Sequence, residues 1–121
     1  MKWLIIACGI AVLPSSPYFQ GNQLEIVRQP IRAMRLEGYV RLHDHTQGIA
    51  NVRIDVCDLG WKHVLSSTVT DGSGHFNLEP ATAGSTYYLR LTAPGFNLRE
   101  YTVKLSKHAP VELKLELNVG T

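Results

Sequence analysis

From Val111 to Leu117 the chain alternates without a break, with Val111, Leu113, Leu115 and Leu117 on one side and Glu112, Lys114 and Glu116 on the other. Successive side chains of an extended strand point to opposite faces, so a period of two fits a half-buried strand and excludes an amphipathic helix. The pattern recurs along the chain. Leu36, Gly38, Val40 and Leu42 alternate with Tyr39 and Arg41, and Val52, Ile54 and Val56 with Arg53, Asp55 and Cys57. Tyr87, Leu89 and Leu91 alternate with Tyr88 and Arg90, and Tyr101, Val103 and Leu105 with Glu100, Thr102 and Lys104. Two weaker segments complete the set: residues 64–70, rich in Ser, Thr and Val, and a short strand with Phe76 and Leu78 inward.

Turn chemistry falls between these segments, in Thr46-Gln47-Gly48, Asp71-Gly72-Ser73-Gly74, Ala83-Gly84-Ser85, Pro94-Gly95 and Ala109-Pro110. Short strands at this spacing, without a helical period, predict an all-β two-sheet sandwich of seven strands, immunoglobulin-like in layering, over residues 35–119. Each outer face is polar in the pattern, so each sheet is expected to have one wet side. A chain of 121 residues leaves room for one such domain.

The front of the chain reads differently. Met1-Lys2 precedes an apolar run from Trp3 to Leu13 and then Pro14-Ser15-Ser16-Pro17. This is the n-, h- and c-region order of a secretory signal peptide over residues 1–21, with cleavage expected between Val12 and Asn22. The run is too short to span a bilayer, which takes about 20 apolar residues. Ile5-Ile6-Ala7-Cys8 resembles a lipobox, but Cys8 lies inside the apolar run, which argues against a lipid anchor there. A secreted or periplasmic protein, with no transmembrane segment after signal removal, is the expectation. Export without Cys8 leaves Cys57 as a single cysteine, which excludes an intramolecular disulfide and leaves the thiol free, capped or paired between chains. Residues 22–34 lack a clear period and are expected to be a linker or arm.

Without Lys2, 11 basic residues face 10 acidic ones. Arg28, Arg32 and Arg35 form the one local concentration of positive charge, expected to be a solvated linker. Neither a basic stripe nor a nucleic-acid-binding motif is present, so no nucleic-acid partner is expected.

Several phrases fit one pattern: Glu37-Gly38-Tyr39-Val40, Asn51-Val52-Arg53-Ile54, Thr70-Asp71-Gly72-Ser73-Gly74-His75-Phe76, and Tyr88 through Phe96. Together they resemble the carboxypeptidase regulatory-like domain family, whose fold is a transthyretin-like (prealbumin-like) sandwich. The resemblance covers residues 36–117, and the Thr-Asp-x-x-Gly-x-Phe turn is its most specific part. It implies a non-catalytic accessory module, of the kind attached to exported peptidases and outer-membrane receptors. The chain is expected to depart from that setting, with no second domain of its own to regulate. In the turn, Asp71 is expected to cap the backbone, Gly74 to take a positive φ, and Phe76 to plug the core.

The enzymatic relatives of such sandwiches find little support. The Tyr-Arg-Gly-Ser terminus of 5-hydroxyisourate hydrolases is replaced by Asn118-Val119-Gly120-Thr121. Intradiol dioxygenases need two Tyr and two His around iron. Tyr87 and Tyr88 have no His-x-His downstream and face opposite ways. Ser66 and Ser67 lack a nucleophile elbow, and Cys57 has no assigned base. The pattern therefore carries no catalytic residue and no cofactor.

Two poles hold what remains. If strands alternate in direction, His43, His45, Asp71, His75 and Phe96 share one end of the sandwich, and Trp61, His63, Lys107 and His108 the other. His43, His45, Phe96 and Trp61 are the candidate partner contacts, with the His43 pole preferred. The expected partner is another exported or envelope protein, with carbohydrate as a second class for Trp61. The alternative reading is a small metal-binding protein or metal-dependent enzyme using His43, His45 and His75.

Overall fold

The structure, a computed structural model, describes residues 23–120. The expected signal peptide and Cys8 lie outside them. The described residues form nine strands: β1 (Leu24–Ile26), β2 (Ile31–Ala33), β3 (Glu37–Leu42), β4 (Arg53–Cys57), β5 (Val64–Val69), β6 (His75–Asn77), β7 (Thr86–Thr92), β8 (Leu98–Leu105) and β9 (Leu113–Leu117). They form two packed sheets. The larger runs β1-β8-β7-β4-β5, with β2 also beside β8, and the smaller runs β9-β3-β6. The all-β sandwich is therefore present with nine strands in place of the expected seven.

The two additional strands come from the segment expected as an arm. β1 and β2 pair parallel with β8, aligning Glu25 with Arg99 and Arg32 with Lys104. Each is three residues long, less than two periods of alternation, which is why no pattern announces them. Glu25 fastens the first by accepting hydrogen bonds from Asn97 Nδ2 and Asn118 Nδ2, both at 3.0 Å.

The core lies where the alternation places it. Leu36, Val40, Val52, Ile54, Leu89, Leu91, Val103, Leu113, Leu115 and Leu117 are essentially inaccessible, and Phe76 joins them. Val111 is a correction. It was expected inward on the last strand, but pairing starts only at Leu113 and Val111 is 53% exposed. A second correction concerns the large sheet's outer face, expected to be wet: Asp55, Cys57 and Glu100 are buried on it.

The strand edges are treated unequally. Beyond β9, the Tyr101 hydroxyl donates to Glu116 O (3.0 Å) and accepts from Glu116 N (2.9 Å), occupying the strand's free backbone. Burial pushes that phenol's pKa up, so it stays protonated and able to donate. β1 and β2 cover β8, and β6 is only three residues long. β5 has six residues, pairs with β4 alone, and has no strand on its other side among the described residues.

Candidate functional site

The turn between β5 and β6 is built on one carboxylate oxygen. Asp71 Oδ1 accepts from Ser73 N (2.9 Å), Ser73 Oγ (2.8 Å) and His75 N (3.0 Å). Gly74 has φ 86°, and a Cβ there would lie 2.6 Å from Val40 O, so both conformation and space demand glycine. Thr70 joins the turn to the preceding loop, its hydroxyl donating to Ile49 O (2.7 Å) and accepting from Val52 N (2.9 Å).

The Ser73 hydroxyl and then the His75 and Ser73 amides hold the Asp71 pKa below its ordinary 3.8. A carboxylate lowered on folding stabilises fully above its unfolded pKa, and that contribution disappears as pH falls through the lowered value. Asp71→Ala is therefore expected to lower the urea midpoint at pH 7, with Asp71→Asn, which keeps the Oδ1 acceptor, falling between. The gap between wild type and Asp71→Ala should close as the pH is taken below 3.8. A gap independent of pH would show that the carboxylate charge contributes nothing.

The histidines at this pole do not converge. His43 Nδ1 lies 2.9 Å from Glu116 Oε1 and its Nε2 3.2 Å from Asp44 Oδ2. The hydrogen bond to Glu116, with the Asp44 charge behind it, raises the His43 pKa from 6.5. His45 Nδ1 turns back to His43 O at 2.7 Å. His75 stands opposite Tyr39 in the β3–β6 register, its Nε2 2.9 Å from Glu37 Oε2 and its ring edge-on to Tyr39 at 5.2 Å. Four residues of extended chain, about 13 Å, separate that position from His43.

The metal alternative on His43, His45 and His75 is thus corrected: among the described residues no three His, Cys, Asp or Glu side chains come together to hold a metal. Strand register, which alternation alone does not specify, keeps them apart. Phe96 is half-buried against the core, joins Val119 in a β-bridge, and lines a groove of about 330 Å³ with Leu42, Gly48, Ile49 and Gly72.

At the other pole, Trp61 is a covering residue. Asp58 organises its loop, Oδ1 accepting from Lys62 N (2.9 Å) and His63 N (3.1 Å), with Oδ2 2.8 Å from His63 Nδ1. Gly60 and Trp61 take φ of 109° and 64° in succession. A left-handed conformation in so bulky a residue is rare and persists only where the surroundings impose it. Here it turns the indole back over the large sheet, edge-on to Tyr88 at 5.6 Å and under the Arg90 guanidinium at 5.6 Å.

Around this cover, Arg90 places Nε and Nη2 at 2.9 and 2.8 Å from Glu100 Oε2, and Nη2 donates to Trp61 O at 3.2 Å. Asp55 receives Arg53 Nε at 2.8 Å and the Ser67 hydroxyl. Cys57 is 2% exposed, and burial raises its pKa, which suppresses the reactive thiolate. The rings and charges on this face are thus engaged with one another. His108 lies apart from Trp61's stack, exposed on the turn after β8.

The β5 edge escaped sequence reasoning. Val64, Leu65 and Val69 are 47%, 67% and 56% exposed. The pairing with β4 slips so that Cys57 faces Val64 and Val56 faces Ser66, leaving Leu65 as a bulge residue turned outward. The strand carries no charge and no proline. Its poor alternation was the available signal, since a strand covered on neither face has no reason to alternate.

No protein-family model and no curated protein matches the chain.

Proposed function

We propose that the protein is an exported, non-catalytic accessory module, carboxypeptidase regulatory-like in kind, which binds another exported or envelope protein along the β5 edge. The carrying observation is that six-residue edge, uncharged and exposed, beside three edges that are capped, covered or short. An open edge of this composition takes an extended segment as an added strand, with main-chain hydrogen bonds for affinity and side-chain contacts for selection. Leu59, 79% exposed, and the outward Leu65 offer apolar anchors beside it. The two-sheet sandwich and the Asp71-Gly74-Phe76 turn support the family resemblance. The edge is favoured over the His43 pole because His43, His45 and Phe96 are already engaged there by Glu116, by the backbone and by the core.

The test is capture of a partner from the native envelope fraction, with circular dichroism to verify folding. Leu65→Lys/Val69→Lys should abolish capture, whereas His43→Ala/His45→Ala/Phe96→Ala and Trp61→Ala should retain it. Equal capture by the edge variant removes β5 as the site. Loss only in the triple variant moves the contact to the His43 pole. Turnover of a small substrate by the pure protein would overturn the non-enzymatic reading.

A further inference from the structure

We infer that the groove at the β2–β8–β7 end of the large sheet binds phosphate, as the free anion or as part of a larger molecule. The groove holds about 520 Å³ and is lined by Arg32, Lys104, Lys107 and His108, with Gly84 and Thr86 on its far side. A volume of this size accommodates a small ligand. It lies at the opposite end of the sheet from β5 and is independent of the accessory-module reading.

The charge arrangement carries the inference. The chain holds nearly equal numbers of cations and carboxylates, and all ten Asp and Glu side chains belong to the described residues. None of them lines this groove. Elsewhere Arg35 pairs with Glu37, Arg53 with Asp55, Arg90 with Glu100 and Arg99 with Glu25, while Arg28, Arg41, Lys62 and Lys114 have no ion pair among the described residues; what sets the groove apart is that its cations converge. Among the described residues, no carboxylate lies within ion-pair distance of Arg32, Lys104, Lys107 or His108.

Two of these cations are direct neighbours. The parallel register aligns Arg32 of β2 with Lys104 of β8, so both project from the same face of adjacent strands. Like charges placed this way repel and destabilise pairing unless an anion lies between them. The turn after β8 then brings Lys107 and His108 to the same opening. Arg32 supplies a planar fork suited to two oxygens of a tetrahedral oxyanion, and the lysines supply point charges. One fork satisfies a carboxylate, whereas several converging cations suit the double charge of phosphate. The arginine read as part of a solvated linker is, in the fold, one wall of this site.

The experiment follows amide chemical shifts of the 15N-labelled protein at low ionic strength, titrated with inorganic phosphate and with pyrophosphate against a sodium chloride control. The expected result is saturable shifts at Arg32, Lys104 and Ser106 through His108, tighter with pyrophosphate. Affinity should fall at least tenfold in Arg32→Ala/Lys104→Ala/Lys107→Ala. Lys62→Ala/Lys114→Ala, which removes charge outside the groove, should bind as wild type does. A second arm measures sedimentation with vesicles of phosphatidylcholine alone and of phosphatidylcholine mixed equally with phosphatidylglycerol. Binding to the mixed vesicles that the triple variant loses identifies a lipid headgroup as the source, and phosphate binding without vesicle binding identifies a soluble ligand. Shifts no larger than in chloride, or equal losses in both variants, overturn the site.

Discussion

Replacing Phe76 by alanine is expected to destabilise the domain by about 3–5 kcal/mol, the usual range for emptying a buried aromatic site. The ring is 1% exposed and is the largest fully buried side chain of the core. Its backbone neighbour explains why the space cannot be refilled. Phe76 pairs with Gly38 on β3, and a Cβ at Gly38 would lie 1.9 Å from Leu113 O on β9. The centre of the small sheet therefore needs a glycine, because the Leu113 backbone already occupies the space of a side chain there. Val40, Leu113 and Leu115 belong to paired strands and cannot move in without breaking sheet hydrogen bonds. A domain of this size has a total stability of about 5–15 kcal/mol, so Phe76→Ala consumes a large part of it. Urea denaturation measures the change, with Phe76→Leu as a milder variant that keeps most of the apolar volume. An unchanged midpoint for Phe76→Ala would contradict the packing.

Much of this core was legible because sheets enforce parity. Once Leu113, Leu115 and Leu117 share a face, their charged neighbours must share the other, and the same logic placed Ile54, Val56, Leu89, Leu91 and Val103. The turn at Asp71 was legible for a local reason, since its donors lie within four residues of the carboxylate. What escaped was set at long range. Neither the pairing of β1 with β8 nor the open side of β5 among the described residues leaves a trace in alternation. The histidine cluster failed because placing residues at one pole does not specify register across strands. The polar pattern on β4, β7 and β8 predicts a wet face, but the Asp58 loop returns Trp61 over Tyr88 and Arg90 of β7. The sequence pattern therefore points to the poles, while the exposed apolar residues of the large sheet lie at its side.

That covered face yields the second large effect. Arg90→Met is expected to destabilise the protein by about 3–5 kcal/mol, the range for stranding one member of a buried ion pair. Glu100 is the side chain at risk, 7% exposed and contacted by two guanidinium nitrogens. The β7–β8 register sets Arg90 directly opposite Glu100, so no other cation on the paired strand occupies that position. Methionine keeps the length and apolar bulk under Trp61 but cannot donate to Glu100 or to Trp61 O. The loss should extend to the loop, where the indole would give up its stack on the guanidinium and tryptophan fluorescence would shift toward the exposed range.

The double variant Arg90→Met/Glu100→Gln separates charge from packing. A neutral amide is less costly to leave in that site, so the double variant should recover a substantial part of the stability lost by Arg90→Met alone. Urea midpoints of wild type, both single variants and the double variant complete the cycle. An Arg90→Met cost below about 1 kcal/mol, the ordinary range of an exposed pair, would mean that water reaches Glu100 and that Trp61 does not seal the face.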